Sequence, residues 1–248
     1  MPTPIICLDL RLRQFVGSLG TGFNRPQWQY FVIVLLGLML CQEHRTLSGL
    51  QRQVAEQTSL SGLSRFLAQA PWSADTLAGT WLARFRQQMR PLVEAERERQ
   101  RRQRPKRRGR PKPPVVTGYL IGDDSPQAKP KGQKMAGLGR HHSTTAGKRI
   151  VSHSLVQGLY VLLGRRCPLA PRLYRQRTVC EAEGVAFHSK IDLMDEMIQT
   201  FVPVAGTRTH VVVDAWYAAK RLWRTARQRG FLISSGLKSN RSLRVDDP

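Results

Sequence analysis

Cysteine is scarce and scattered in this sequence. The four residues, Cys7, Cys41, Cys167 and Cys180, form no CxxC pair. Structural zinc is therefore not expected, and reduced thiols in a cytoplasm fit the spacing. Long apolar runs are missing too. The longest, Tyr30 to Cys41, reads YFVIVLLGLMLC. It falls short of the about 20 residues that a bilayer-spanning helix needs, so a buried helix is predicted instead. The N-terminus, MPTPIICLDLRLR, has no charged region ahead of an apolar one, and Asp9 interrupts it. No signal peptide is expected. Above all, acids are few: 17 Asp+Glu stand against 40 Lys+Arg, a net charge of +23 over 248 residues. That excess predicts a polyanionic partner, DNA or RNA first. An anionic membrane surface is the competing partner, and the lack of a basic amphipathic anchor beside a span argues against it.

What is present divides the chain into three parts. Residues 1–95 read as helical. Gln27 to Cys41 is apolar almost all round, which suits a central helix, and Thr46 to Glu56 is a short polar one. Leu60 to Gln69 follows, with Leu63, Phe66 and Leu67 at helical spacing. Ala74 to Arg90 places Leu77, Trp81, Phe85 and Met89 four apart, one buried stripe, with Ser73 as N-cap and Asp75 in the first turn. Such a bundle is either purely structural or a DNA-binding domain that presents a recognition helix.

Residues 96–114 form a basic, proline-containing linker. From Arg97 to Lys112 ten basic residues face one acid, Glu98. Pro105 and Pro111 bar a continuous helix, so an extended tether is expected. Arg104, Lys106, Arg107, Arg108, Arg110 and Lys112 are its candidate DNA contacts. Arg108-Gly109-Arg110-Pro111-Lys112 resembles the core of an AT-hook, in which Arg-Gly-Arg lies flat in a narrow minor groove. A generic phosphate-binding tether accounts for the same residues.

Residues 115–248 change texture. Strands are predicted at Val115 to Ile121, at Lys148 to Leu163 and at Leu169 to Arg175, with a polar loop or hairpin arm at Gln127 to Ala136. A helix at Ile191 to Phe201 turns Leu193, Met194, Met197 and Ile198 inward. Then come the strand Thr209 to Val213, a helix from Trp216 to Arg229 closed by Gly230, and a strand from Phe231 to Ser234. Three strands, then helix, strand, helix, strand is the ribonuclease H-like order. The fold class is α+β or α/β: a helical N-terminal domain, then an incomplete ribonuclease H-like mixed sheet with helices.

Two acidic strand ends organise this last part. THVVVD delivers Asp214 just before a helix, and YLIGDDS delivers Asp123 and Asp124. In a ribonuclease H-like sheet the first and fourth strands are neighbours, so Asp124 and Asp214 meet despite the 90 positions between them. Cleavage of a phosphodiester by two metals needs carboxylates around ions about 3.5–4 Å apart, and Mg²⁺ prefers such hard oxygens. Singly, each acid is equally well a helix cap or a turn residue. The pair of strand ends in so basic a chain favours ligands. His141 and His142 suit a solvated basic loop better than a DNA or metal contact, and Trp216 and Tyr217 suit core packing better than base stacking.

GDDSPQAKPKGQKMAGLGRHHSTTAGKRIVSHSLVQGLYVLL from Gly122, VVVDAWYAAKRLW from Val211 and LKSNRSLR from Leu237, with LSRFLAQAPWSADTL from Leu63, resemble DDE transposases of bacterial insertion sequences, in the branch with a DDE superfamily endonuclease domain. The resemblance implies Mg²⁺- or Mn²⁺-dependent cutting and pasting of DNA. A metal-activated water nicks the element's end, and the freed 3′-hydroxyl attacks target DNA. It implies Asp124 as first acid, Asp123 as the alternative by one register step, and Asp214 as second. Lys134 joins the linker as a candidate DNA contact, and Lys238, Asn240 and Arg241 in the last block are either DNA-backbone contacts or a solvated turn. The implied partners are terminal inverted repeats and target DNA, in a cytoplasmic, nucleoid-associated protein, with a homodimer as one form and no membrane.

The family's third acid, a Glu on a late helix, has no counterpart after Asp214, since only 34 residues follow it. Glu181, Glu183 and Glu196 precede it, and Asp246 and Asp247 sit at the chain's end. The expectation is a truncated copy, either a transposase or an inactive DNA-binding remnant that inhibits the intact enzyme, with Leu232 and Ile233 partly exposed where a covering helix is missing.

Overall fold

The computed structural model describes residues 10–19, 22–42, 46–54, 58–71, 73–103, 113–132 and 134–237. The chain forms two compact units, divided between Trp81 and Leu82.

The first unit is helical. Helices α1 (Leu10–Gly17), α2 (Arg25–Leu40), α3 (Leu47–Arg52) and α4 (Leu60–Gln69) enclose a core of Val16, Phe31, Ile33, Leu36, Leu63 and Phe66. Helix α2 is the central one, as its all-round apolar pattern predicts. Asn24 caps it through a capping box with Gln27, and Pro26 occupies the first turn, where its missing N–H costs nothing. A Cβ on Gly37 would lie 2.7 Å from Leu50 Cβ, so the glycine is what lets α3 lie against α2. Helix α3 stops at Arg52, shorter than the predicted 46–56.

Helix α5 (Ala74–Arg102) starts at Ser73, whose hydroxyl accepts the Thr76 amide at 3.3 Å. The predicted stripe shifts along it: Phe85, Met89 and Val93 are buried, whereas Leu77 and Trp81 are only partly so. The helix also corrects the expected linker, because 97–102 are helical rather than extended. The cause is local. Glu96 pairs with Arg99 at 2.7 Å and Glu98 with Arg102 at 3.0 Å, at helical spacings of three and four. Arg and Glu are good helix formers, and the prolines expected to break the run come only at 105 and beyond. Residues 104–112, with the six linker cations and the AT-hook-like core, lie outside the described residues.

The second unit is built on a seven-stranded mixed sheet, ordered β2-β3-β1-β6-β7, with β4 and β5 also on β3. The strands are β1 (Val116–Ala128), β2 (Gly139–Ser143), β3 (Lys148–Leu162), β4 (Arg165–Pro168), β5 (Arg172–Tyr174), β6 (Thr207–Val213) and β7 (Leu232–Ser235). β1 and β3 are antiparallel, while β1, β6 and β7 run parallel. This is the expected ribonuclease H-like arrangement, in which the first long strand lies between an antiparallel partner and a parallel one. The unit also holds α6 (Arg177–Glu183), α7 (Lys190–Thr200), α8 (Lys220–Gln228) and the part of α5 from Leu82 on.

One face of the sheet is covered. Leu120, Gly122, Gly158, Tyr160, Val211 and Val213 share it and are buried. Methionines of α7 fill the glycine gaps: a Cβ on Gly122 would lie 2.6 Å from Met194 Sδ, and one on Gly158 2.4 Å from Met197 Sδ. Phe201 and Phe85 pack their rings on Tyr160. The opposite face carries Tyr119, Ile121, Asp123, His210 and Leu232. Leu232 is 48 % exposed and Ile233 is half-buried.

Several boundaries differ from expectation for physical reasons. β1 does not stop at Ile121 but runs through Asp123 and Asp124 to Ala128, because β3 is long enough to pair with it all the way, to Ala128↔Ser152. The predicted helix 216–229 is two elements. A single 3-10 turn, Ala215–Tyr217, precedes α8, with Ala219 extended between them. Helix α6 and strand β4 have no counterpart in the prediction; both are short, with too few apolar positions to show a period. Gly230 closes α8 at φ 68, as expected of a helix-ending glycine.

Candidate active site

The site forms where β6 ends beside β1. The β-branched run of β6 pairs in parallel with β1 from Val116↔Thr207 to Gly122↔Val213. One step further, β6 leaves the sheet at Asp214 while β1 continues along β3 as Asp123↔Gln157 and Asp124↔Val156. The two acidic segments thus leave the last parallel pair side by side. Alternation separates the adjacent aspartates. Asp124 shares the covered face with Leu120 and Gly122; Asp123 stands exposed on the other face.

Tyr217 ties the end of β6 to the neighbouring β1. Asp214 turns its carboxylate back as a cap, and one oxygen accepts the amides of Trp216 at 3.0 Å and Tyr217 at 3.2 Å. That cap folds the 3-10 turn and sends the Tyr217 ring into the core, fully buried. The phenol then donates to Asp124 Oδ1 at 3.0 Å. Its pKa is driven far above the ordinary phenol range, by burial first, then by the charge of and hydrogen bond to Asp124, then by the charges of Asp123 and Asp214. One hydroxyl therefore feels all three carboxylates and stays a donor.

The second oxygen of Asp124 meets the Lys190 ammonium. Lys190 is the first residue of α7, and its place is set by the cap before it. Ser189 Oγ accepts the Asp192 amide at 3.1 Å, while Asp192 Oδ2 accepts from the Ser189 amide at 2.9 Å and hydroxyl at 2.7 Å. Arg221 of α8 clamps Asp192 and the buried Asp195, the latter at 2.7 Å. The Lys190 ammonium lies over the rings of Tyr174 at 5.4 Å and Trp216 at 5.6 Å.

Around Lys190 opens a cleft of about 540 Å³, with Asp124, Arg140, His142, Arg149, Tyr174 and Trp216 among its walls. His141 also lines it and is buried, contrary to the expected solvated loop. The reason is its place in β2, opposite Ile150, with its ring edge-on to Tyr174. Burial, then the charge of Lys190, holds its pKa below the usual imidazole value, against an upward pull from Asp124.

Of the residues singled out in the sequence, Asp124 and Asp214 both bond Tyr217, at its phenol and its amide respectively, while Asp123 faces the other side of the sheet. Lys134 stands exposed in the segment between β1 and β2 and does not line the cleft. Lys238, Arg241, Asp246 and Asp247 lie outside the described residues. Glu181, Glu183 and Glu196 belong to α6 and α7; Glu183 pairs with Arg175 at 3.0 Å and Glu196 with Arg172 at 3.7 Å. Lys190, Tyr174, Arg140 and Arg149 were not foreseen. The S-x-x-D cap at Ser189 and Asp192 marks the helix start that positions Lys190 and was the one available signal. Tyr217 packs in the core as expected, and its bond to Asp124 is the surplus. Trp216 is 43 % exposed, so it is not a core residue.

For a divalent ion, the carboxylates fit in kind: hard oxygens at the end of β6 and on the neighbouring β1. In number they are a partial set. Among the described residues no three His, Cys, Asp or Glu side chains group closely enough to hold a metal. No helix among them is long and apolar enough to cross a membrane. A family model described as DDE superfamily endonuclease matches residues 18–248, nearly the whole chain. No curated protein matches it.

Proposed function

The chain belongs to the DDE superfamily endonuclease family, and from that premise we propose that it is a transposase that binds the ends of an insertion sequence and cuts and transfers DNA strands there. The observation that supports this reading most is that Asp124 and Asp214, on neighbouring strands, bond the same residue, one at the Tyr217 phenol and the other at its amide. Asp124 and Asp214 would hold Mg²⁺ or Mn²⁺. When bound, such ions activate a water nucleophile and neutralise charge on the phosphate.

The chain's own groups account for the rest. Tyr217 orients Asp124 by donating to one oxygen. Lys190 offsets the charge of Asp124 at the other. Asp214 is held rigid by the two amides it caps, which keeps one oxygen engaged and aims the carboxylate. Rigid placement of this kind is what a nuclease site requires before the substrate arrives. The +23 charge draws the polyanion in, and the family implies that this polyanion is DNA.

The test is Mg²⁺- or Mn²⁺-dependent nicking of DNA carrying the element's terminal inverted repeats. Asp124→Ala and Asp214→Ala are expected to abolish nicking while leaving DNA binding. Full cutting by both variants would sink the assignment. A second reading, an inactive DNA-binding inhibitor of an intact enzyme, draws on the same engagement of both Asp124 oxygens by protein groups. Binding without nicking by the unaltered chain, in either metal, would favour it.

A further inference from the structure

We propose that Lys190 competes with the divalent ion for Asp124, and that the cleft beside it holds a second seat, at His141 and Ser154, to which the ammonium moves when it yields. The inference rests on the endonuclease reading above and deepens it by naming what regulates metal entry at that site.

Asp124 is the contested group. One oxygen accepts from the Tyr217 phenol at 3.0 Å, the other from the Lys190 ammonium. The phenol is a fixed donor: Tyr217 is fully buried, and its amide is tied to Asp214. The ammonium is the movable one. It is a compact point charge at the end of a flexible four-carbon stem. A divalent ion at the same carboxylate would meet that positive charge within a few ångströms, where like charges repel strongly. The two side chains of the pair are 20 % and 19 % exposed. An ion can therefore reach them, yet solvent screens them only weakly.

The place of Lys190 on α7 readies it to leave. It is the first residue of the helix, where the dipole is positive and disfavours a cation. The rings of Tyr174 and Trp216 lie 5.4 and 5.6 Å from its Nζ. They attract the ammonium whether or not Asp124 holds it.

The cleft supplies acceptors. Strand alternation puts Ser154 and His141 on the same sheet face as Asp124, because Asp124 pairs with Val156 and His141 with Ile150. Both line the cleft together with Lys190. Ser154 is completely buried with its hydroxyl unpartnered, and His141 is 7 % exposed with Nε2 unpartnered. Leaving buried polar groups unmatched is costly. A hydroxyl oxygen and a neutral imidazole nitrogen both accept, and an ammonium offers three N–H donors. Burial, then the charge of Lys190, lowers the His141 pKa and favours the neutral ring that can accept.

The experiment measures Mn²⁺ binding to the full chain by electron paramagnetic resonance of the free ion, at one pH and without DNA. Lys190→Met should tighten binding by at least about tenfold, because a competing charge is gone. A lysine that merely props Asp124 in place would give the opposite sign. His141→Phe and Ser154→Ala should each weaken binding about threefold, because the second seat loses an acceptor. In the Lys190→Met background these two substitutions should have no effect, which a purely structural role would not produce. Lys148→Met, at an exposed lysine that starts β3, controls for net charge and should leave the affinity unchanged. Thermal melts check folding. Ser154→Ala removes a single oxygen and keeps the test decisive if Lys190→Met does not fold. Equal or weaker Mn²⁺ binding by Lys190→Met overturns the competition, as does unchanged binding by Ser154→Ala where Lys190→Met is unfolded. Nicking is scored separately: a chain that nicks in Mn²⁺ while Lys190→Met binds the ion no more tightly loses this inference alone. If neither the unaltered chain nor Lys190→Met binds millimolar Mn²⁺ or nicks DNA in it, the endonuclease reading falls and the competition with it.

Discussion

The two faces of the β1–β3–β6 sheet carry similar residues and have opposite fates. On one face Leu120, Tyr160 and Val211 are sealed under α7 and its neighbours, and Asp124 stands at the edge of that sealed region with its carboxylate one-fifth exposed. On the other, Tyr119, Ile121 and Leu232 remain exposed, and Asp123 faces solvent beside them. Two adjacent aspartates therefore differ in kind. The first accepts its own neighbour's amide at 2.8 Å; the second is gripped by a phenol and an ammonium from elements more than 60 residues away. A carboxylate at the edge of a packed layer acquires fixed partners. One on an open layer keeps only what its own backbone supplies.

The sharpest way to break this comparison is catalytic. Asp124→Ala is expected to lower metal-dependent nicking by at least on the order of a hundredfold, given that even supporting partners of metal ligands cost that much. Asp123→Ala is expected to cost less than about tenfold on the same scale. A loss for Asp123→Ala as large as for Asp124→Ala, in a gel-based nicking assay, would reverse the assignment of the two faces.

Next comes packing. Leu120→Ala on the covered face should destabilise by about 2–5 kcal/mol. Its sequence neighbour Ile121→Ala on the open face should cost about 0.5 kcal/mol. Urea unfolding of both variants tests the contrast, and equal losses would mean that the open face is covered in solution.

A smaller effect concerns the α7 cap that sets Lys190. Ser189→Ala should cost about 1 kcal/mol. It should also alter the acid limb of stability. The Asp192 carboxyl is held below its usual pKa, first by the Ser189 hydroxyl, then by the Ser189 amide and Arg221, against a partial upward push from burial. A depressed carboxylate stabilises the fold fully above its unfolded value of about 3.9, and that contribution is lost as pH falls through the lower folded value. Thermal melts should show the difference between Ser189→Ala and the unaltered chain shrinking as pH drops through this window. The smallest effect is Leu232→Ser, expected within about 0.5 kcal/mol because the side chain is already in water, with a gain in solubility as its readout.

The legible part of the site was its carboxylates. Asp214 ends a β-branched run and Asp124 follows the apolar Tyr119-Leu120-Ile121, and such acids announce themselves through the break in apolar pattern, even though β1 runs on past Asp124. Lys190 was not legible, because nothing in a lone lysine says which carboxylate it will meet 66 positions upstream. Arg140 and Arg149 were hidden for a similar reason: in so basic a chain two more arginines carry no signal until a hairpin sets them on one of its faces. The helical prediction over 216–229 failed at Asp214 itself, whose side-chain cap closed a single turn and sent Tyr217 inward before α8 could begin.

The sequence by itself determined the alternation of β1, β3 and β6, the central helix α2, the cap of α7 and the surplus of positive charge. All of these depend on neighbours within a few residues or on plain totals. The element order led to the expectation that β1 and β6 lie adjacent; only the tertiary structure decided the register, Gly122 beside Val213, and the inward turn that brings Tyr217 to Asp124. Register and turn are a matter of which apolar faces can be buried together across the whole domain. No local pattern encodes them, and the meeting of Tyr217 with Asp124 depends on them.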